Sequence, residues 1–264
     1  TRWYRVKAAP AAQSAGMPAA ATNPAPLDIP ALVKELAASP GVELAEPDYV
    51  RKPIGGPAET AMTAGAASAQ AAAPLTALFD TDPRVGEQWH LDAAQVPAAW
   101  QHLADHGLPA GGSSDVVVAV IDTGVDYTHP DLAANMWVNA GEFGKTVGVD
   151  DDGNGYVDDI HGARVIGGDL SGSPTDDHGH GTHVAGIIAA QADNGIGGVG
   201  VAPGVRIMAI KAAQYSGILN ASDVARGIYY AVEKGADVIN MSFGGYARSI
   251  AEEDALTVAF GSAV

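Results

Sequence analysis

The chain has 264 residues, 31 of them acidic against 14 basic for a formal charge of −17, with 47% apolar side chains, 33 glycines and only four phenylalanines. So large an acidic excess repels a nucleic-acid backbone and an anionic membrane surface, which argues against both as partners and favours divalent cations. No cysteine is present, so no disulfide framework is available, and no uninterrupted apolar stretch has the length needed to cross a bilayer.

The opening TRWYRVKAAP has neither an initiator Met nor the apolar core of a signal peptide behind it, and reads as an internal point of a longer precursor. Residues 1–54 then read strand, helix, strand. WYRV at 3–6 is the first strand. DIPALVKELAASPG is amphipathic, with Leu32, Val33 and Leu36 on one side and Gly41 as the stop, and VELAEPDYV at 42–50 is the second strand. From 55 to 77 there are ten alanines in 23 positions without charge pattern or bulky anchors. Residues 55–79 therefore read as a linker or nicking site.

From about Asp80 the composition changes. EQWHLDAAQVPAAW brings two tryptophans, and SSDVVVAVIDTG follows, an unbroken apolar run that suits a strand buried on both faces. GVRIMAIKA and GADVINMSFGG predict further strands; GTHVAGIIAAQ, ASDVARGIYYAVEKG and SIAEEDALTVAFG predict helices between and after them. This alternation predicts an α/β domain with a parallel sheet over 80–264.

Asp122 ends the strand DVVVAVI. The carboxyl ends of strands line the ligand crevice of an open α/β sheet, although an Asp there also serves as a turn cap. DDHGHGTHVAGIIAA, residues 176–190, places His178, His180 and His183 before an apolar helix. Their H-x-H-x-x-H spacing is conceivable for zinc, but no fourth ligand or zinc motif stands nearby. His180 starts the helix, where the dipole disfavours an imidazolium unless a buried carboxylate balances it. With Asp122 as that carboxylate, the imidazole is held in one tautomer and its other nitrogen can take a proton from a hydroxyl nucleophile. DDDGNGYVDD, residues 150–159, spaces Asp150, Asp152, Asn154 and Asp158 like the first, third, fifth and ninth positions of a calcium loop with Gly155 at the sharp turn. The twelfth position is His161 rather than a bidentate Glu, so further ligands must come from elsewhere. Nine acids against two bases between Glu142 and Asp177 create a repulsion that a cation relieves.

Four blocks, VAVIDTGVDYTHPDL (118–132), HGHGTHVAGIIAA (178–190), DNGIGGVGVAP (193–203) and DVINMSFGG (237–245), resemble successive blocks of the subtilisin-like serine proteases in order and spacing. The resemblance implies that Asp122 and His180 are two members of a catalytic triad, that His183 packs the helix start and that His178 is a loop neighbour. It implies that Ser242, Phe243 and Gly244 form one edge of the substrate cleft and Gly217, Ile218 and Leu219 the other, with Ile218 and Leu219 giving an apolar rim. A polypeptide substrate then binds by strand addition. The Asp of HPDL and the DNGIGG loop form a calcium site in that family, which carries over to Asp131, Asn194 and the carbonyls of Ala192, Ile196 and Gly198. PGVELAEPDYV resembles the closing strand of the family's I9-type propeptide, which acts as folding chaperone and intramolecular inhibitor with its tail in the cleft.

The family's GTSMA-type nucleophile block and AAGN-type oxyanion block do not occur. Ser262 in FGSAV matches instead the end of the helix that precedes the AAGN block. The resemblance thus implies a fragment of a secreted serine endopeptidase precursor: a partial propeptide over 1–54, the linker over 55–79, and the N-terminal part of the catalytic domain over 80–264. Structural calcium is the one cofactor implied, and these residues alone are expected not to turn over substrate. Two other classes stay open: a non-catalytic calcium- or peptide-binding module, for which the missing serine is genuine, and a zinc hydrolase built on the histidine cluster.

Overall fold

The apolar run that ends at Asp122 forms an inner strand of a four-stranded parallel sheet. The computed structural model describes residues 28–39, 42, 44–54, 81–169 and 171–262, with the backbone only at Ser262. The readings of 3–6 as a strand and of 55–79 as a linker, and any role for the Ser262 side chain, lie outside the described residues. In chain order the elements are α1 (Ile29–Ala37), β1 (Val50–Pro53), α2 (Trp89–Ala93), α3 (Val96–Asp105), β2 (Val117–Asp122), β3 (Gly162–Arg164), α4 (His180–Ala189), β4 (Arg206–Lys211), β5 (Leu219–Asn220), α5 (Ala221–Glu233), β6 (Val238–Asn240), β7 (Phe243–Gly244) and α6 (Ile250–Ser262).

The parallel sheet has the order β3-β4-β2-β6, with Val117 opposite Arg206 and Asp122 opposite Lys211. Successive strand residues point to opposite faces, and both faces are covered. Val118 and Val120 pack with Ile207, Ala209 and the α4 residues Val184 and Ala185. Ala119 and Ile121 pack with Met208, Ile210 and the α5 residues Val224 and Ile228. A strand buried on both sides has no polar face to alternate with, hence the continuous apolar run. From β2 the chain passes to β3 at one edge and returns through α4 to β4, then crosses through α5 to β6 at the other edge, and a crevice opens in the middle of the sheet at the strands' carboxyl ends.

The helices expected after DDHG, in ASDVARGIYYAVEKG and in SIAEEDALTVAFG are all present as α4, α5 and α6. EQWHLDAAQVPAAW forms α2 and α3, which a left-handed Gln95 (φ 58°) separates, and Trp100 donates from Nε1 to the Val201 carbonyl at 2.8 Å. In the front segment, α1 is capped by Asp28, whose Oδ1 accepts from the Ala31 N–H, and Leu32, Val33 and Leu36 share its half-buried side.

The second front strand differs from the expectation. It runs over 50–53, and residues 44–49 make no ladder. Pro47 lacks an N–H to donate, and ladder partners become available only where the chain meets β5 and β7. There β1 completes a three-stranded antiparallel sheet in the order β5-β1-β7, Arg51 opposite Leu219 and Lys52 opposite Gly244. Just before it, the Glu46 carboxylate accepts from the N–H groups of Ile250 and Ala251 and from Ser249 Oγ at the start of α6, while Asp48 accepts from the Ser222 N–H and Oγ at the start of α5. Both acids thus sit where helix dipoles favour negative charge. No described helix is long and apolar enough to cross a membrane.

Candidate active site

Asp122 closes β2, and the chain turns at Thr123 and Gly124, where a left-handed backbone (φ 101°) brings the turn against the Pro174 carbonyl. Helix α4 starts directly on this turn. A Cβ on Gly181 would lie 2.1 Å from the Gly124 carbonyl oxygen, so only glycine permits the approach. The Gly181 N–H donates to Thr123 Oγ1 at 2.9 Å. Asp176 caps the helix: Oδ1 accepts from the N–H groups of His178 and Gly179, and Oδ2 from the N–H and hydroxyl of Thr182. Lys211, 2% exposed at the end of β4, donates from Nζ to the Thr123 carbonyl and to Asp177, tying the turn to the loop before α4.

These restraints place His180 Nδ1 2.7 Å from Asp122 Oδ1, which also accepts from the Thr123 N–H at 2.7 Å. Burial works against the His180 imidazolium, but the hydrogen bonds to Asp122 and to the Ile54 carbonyl, with the charges of Asp122 and Asp176, outweigh it and raise the pKa above the ordinary histidine range. Burial is the largest influence on Asp122 and pushes its carboxyl up, against the hydrogen bonds from His180 and Thr123. Its Oδ2 is buried and without a hydrogen-bond partner among the described residues. A carboxylate fixed in this way serves one purpose well, holding Nδ1–H and leaving Nε2 directed into the crevice.

Nε2 of His180 lies 3.0 Å from the Ile54 carbonyl oxygen, at the end of β1. The Ile54 N–H donates to the Ser242 carbonyl at 2.9 Å, and Pro53 and Lys52 lie opposite Phe243 and Gly244. Five front-segment residues thus run through the crevice between two strand edges. Ser242, Phe243 and Gly244 lie along one edge and Leu219 along the other, with Ile218 half-buried beside it and Gly217 against the His178 ring. The Leu219 side chain departs from the apolar rim expected of it. It is 1% exposed and belongs to the core, because the alternation along β5 turns it inward, so Leu219 offers the crevice only its backbone.

The three histidines do not converge. His183 is exposed rather than packed at the helix start, because at its place on α4 the ring faces away from the sheet, and His178 is exposed with its ring 6.4 Å from that of His180. Both ring nitrogens of His180 already have protein partners. Among the described residues the metal-ligating side chains that do converge are carboxylates, Glu142, Asp152 and Asp159.

The subtilase family profile matches residues 113–260, more than half of the chain, and spans both Asp122 and His180. The chain belongs to the subtilase family. It is 38% identical over 165 residues to Subtilisin-like protease 1 of Plasmodium berghei, covering 62% of this chain and 26% of that protein. It is 34% identical over 233 residues to Thermophilic serine proteinase of Bacillus sp. (strain AK1), covering 88% of this chain and 45% of that protein. With Halolysin of Haloferax mediterranei it shares 37% over 166 residues, covering 62% of this chain and 26% of that protein. The chain therefore spans between about a quarter and under half of the length of these relatives. The α/β sheet with helices on both faces is the subtilisin-like fold expected of this subtilase.

Two acidic regions of this subtilase suit a cation. In the first, the local spacing and the gathered residues differ. Asp150 accepts from the N–H groups of Gly153, Asn154 and Gly155, Asp158 from that of Gly148, and Asn154 Oδ1 from that of Tyr156, so these oxygens close their own loop. Asp152 instead joins Glu142 and Asp159, one carboxylate oxygen from each lying within 4.8 Å of the others. Glu142 is 3% exposed and its Oε2 is buried without a hydrogen-bond partner among the described residues, a donor that fits a hard cation. Burial raises the fully buried Asp159 carboxyl despite hydrogen bonds from Tyr230, Asn154 and Asn139. The Lys234 ammonium, 2.5 Å from Asp152 and 3.9 Å from Asp159, offsets part of the repulsion.

In the second region, Asp131 is raised chiefly by burial and also by the nearby charge of Asp82, and it accepts from Asn194 Nδ2 at 2.7 Å. Ala192, Ile196 and Gly198 lie on the same loop. Asp82 is the residue that pattern reading missed: its buried carboxylate accepts from the N–H groups of Asp193, Asn194 and Gly195. Glu142, Asp159 and Lys211 were missed likewise. Glu142 and Lys211 are lone charges in the sequence and Asp159 is one of a run of acids, and only depth in the fold distinguishes them.

Proposed function

We propose that this subtilase chain forms the cleft of a secreted serine endopeptidase precursor whose front segment is its own inhibitor. The observation that carries the reading is the crevice itself. An Asp122–His180 pair stands at its floor, an extended polypeptide is bound main chain to main chain, and one backbone carbonyl of that polypeptide is presented to His180 Nε2. In this reaction His180 deprotonates a serine, Asp122 orients the ring and stabilises the imidazolium, and an asparagine with backbone N–H groups holds the oxyanion. The serine and asparagine would come from outside these 264 residues, so the chain by itself is inactive. Gly217, Ile218, Leu219 and Ser242–Gly244 would pair with substrate as they pair with the tail.

Residues 1–54 act in this reading as the propeptide, 55–79 as the maturation linker and 80–264 as the first part of the catalytic domain. Docking of Glu46 and Asp48 on the starts of α6 and α5 supports a chaperone role, since each cap satisfies helix N–H groups that otherwise lack partners. Calcium would be held by Glu142, Asp152 and Asp159, and by Asp131 with Asn194 and the Ala192, Ile196 and Gly198 carbonyls, on a loop that Asp82 shapes through its amide hydrogen bonds. It would stabilise the fold and take no part in the reaction. Secretion accords with a family whose members are often extracellular.

The test is peptide hydrolysis by the precursor extended beyond Val264. His180→Ala is expected to lower kcat/KM by about 10⁴-fold or more. Hydrolysis that survives His180→Ala unchanged would refute the assignment, as would appreciable His180-dependent turnover by the 264-residue chain.

A further inference from the structure

The docked tail carries one side chain that the backbone pairing does not explain. Arg51, three residues upstream of Ile54, is buried, its side chain 6% exposed. Its Nε donates to both carboxylate oxygens of Glu252 at 3.0 and 3.2 Å, and its Nη2 lies against Oε2. Beneath β1 this pair forms one side of a cavity of about 220 Å³ whose other walls are mostly apolar, among them Val224, Ile228, Met241, Phe243 and Leu256. Gly245 leaves room for the guanidinium, since a Cβ there would sit 2.9 Å from Nη1. Glu252 is the acid of an S-x-x-E sequence, Ser249 to Glu252, that ordinarily folds back to cap its own helix. Here Glu46 serves the start of α6, and the Glu252 carboxylate, 15% exposed, turns into the cavity instead.

We propose that Glu252 makes this cleft selective for a cationic side chain, arginine above all, three residues upstream of the residue whose carbonyl meets His180. The inference rests on the reading of the crevice as a substrate cleft and extends it to a substrate class. Selectivity arises from the penalty on the alternatives. An apolar side chain could pack against the same apolar walls but would leave a largely buried carboxylate without a counter-ion, which costs more than the net worth of the pair itself. A guanidinium meets both carboxylate oxygens from one planar group, whereas an ammonium offers a point charge, so arginine ranks above lysine.

The experiment uses the full chain carrying Arg51→Glu, whose like charge against Glu252 releases the tail. Two labelled peptides are titrated in, acetyl-Arg-Lys-Pro-Ile-amide and acetyl-Leu-Lys-Pro-Ile-amide. The arginine peptide is expected to bind at least about tenfold more tightly, the scale of one charge-assisted hydrogen bond, and adding Glu252→Leu is expected to reverse the order. Glu252→Gln keeps the shape and loses the charge; it replaces Glu252→Leu if that variant does not fold, and should abolish the preference. Equal binding of the two peptides, or a preference that survives both Glu252 substitutions, overturns the proposal. Failure of the underlying reading looks different. In the unsubstituted chain the amide protons of Lys52 and Ile54 would exchange freely, and neither peptide would bind.

Discussion

Two glycines on one helix make a sharp test of how the site is assembled. Gly181 and Gly186 both lie in α4, and alanine at either position removes the backbone freedom that disfavours helix, a gain of up to about 1 kcal/mol. At Gly186 a Cβ meets nothing within 4 Å, so Gly186→Ala is expected to stabilise the chain by up to about 1 kcal/mol. At Gly181 the Cβ would stand 2.1 Å from the Gly124 oxygen, against an ordinary carbon–oxygen contact of about 3.3 Å. Turn and helix must therefore part by roughly 1 Å, which stretches the His180–Asp122 hydrogen bond from 2.7 Å beyond useful range. Overpacking of roughly 1–3 kcal/mol and loss of a charge-assisted bond of roughly 1.5–3 kcal/mol exceed the helix gain. Gly181→Ala should destabilise by about 1.5–6 kcal/mol on these magnitudes. Urea unfolding measures both variants, and NMR titration of His180 should show its pKa falling in Gly181→Ala and unchanged in Gly186→Ala. If Gly181→Ala matches the unsubstituted chain in stability and in His180 titration, the account of the helix start is wrong.

Tail docking should depend on pH through His180. The Ile54 carbonyl is one cause of its raised pKa, so the docked state binds the proton more tightly than the open one. Docking is then strongest below the pKa of the open state and weakens as pH rises through that of the docked state. Protection of the Ile54 amide should fall over that window, and His180→Gln should remove the dependence; constant protection from about pH 5 to 8 would contradict it. Calcium should raise the melting temperature of metal-free protein. At a hundred times its dissociation constant one ion contributes about 2.7 kcal/mol, or roughly 5–10 °C for a chain of this size. Glu142→Gln should remove a large part of that gain. Asp131 and Asp159, whose carboxyl pKa values are raised, cost stability as pH rises through their folded values, a loss that calcium should suppress; a melting temperature indifferent to calcium would remove both sites.

The elements that position Asp122 and His180 are legible in the sequence because each carries its own local signature. β2 shows as an apolar run, α4 begins at a glycine-flanked histidine, and the DTG turn cannot continue the strand. What escapes is set by distance along the chain. Arg51 and Glu252 meet across 201 positions, Lys234 and Asp152 across 82, and nothing near either partner marks the other. The calcium-loop spacing shows a different limit. Asp150, Asn154 and Asp158 stand at ligand intervals, yet Asx side chains bond readily to backbone amides a few residues on, and here that local chemistry claims their oxygens. Strand β1 escapes for a third reason: its ends are fixed by the partners it pairs with rather than by its own composition.

The order β5-β1-β7 also bears on solubility. Neither outer strand touches the other, so lifting β1 away would bare two short rows of unpaired backbone groups facing each other across a gap one strand wide. A second molecule could offer its own extended segment to that gap as readily as a peptide could. The tail is in this sense a plug, filling with its own strand the slot that any other strand would fit.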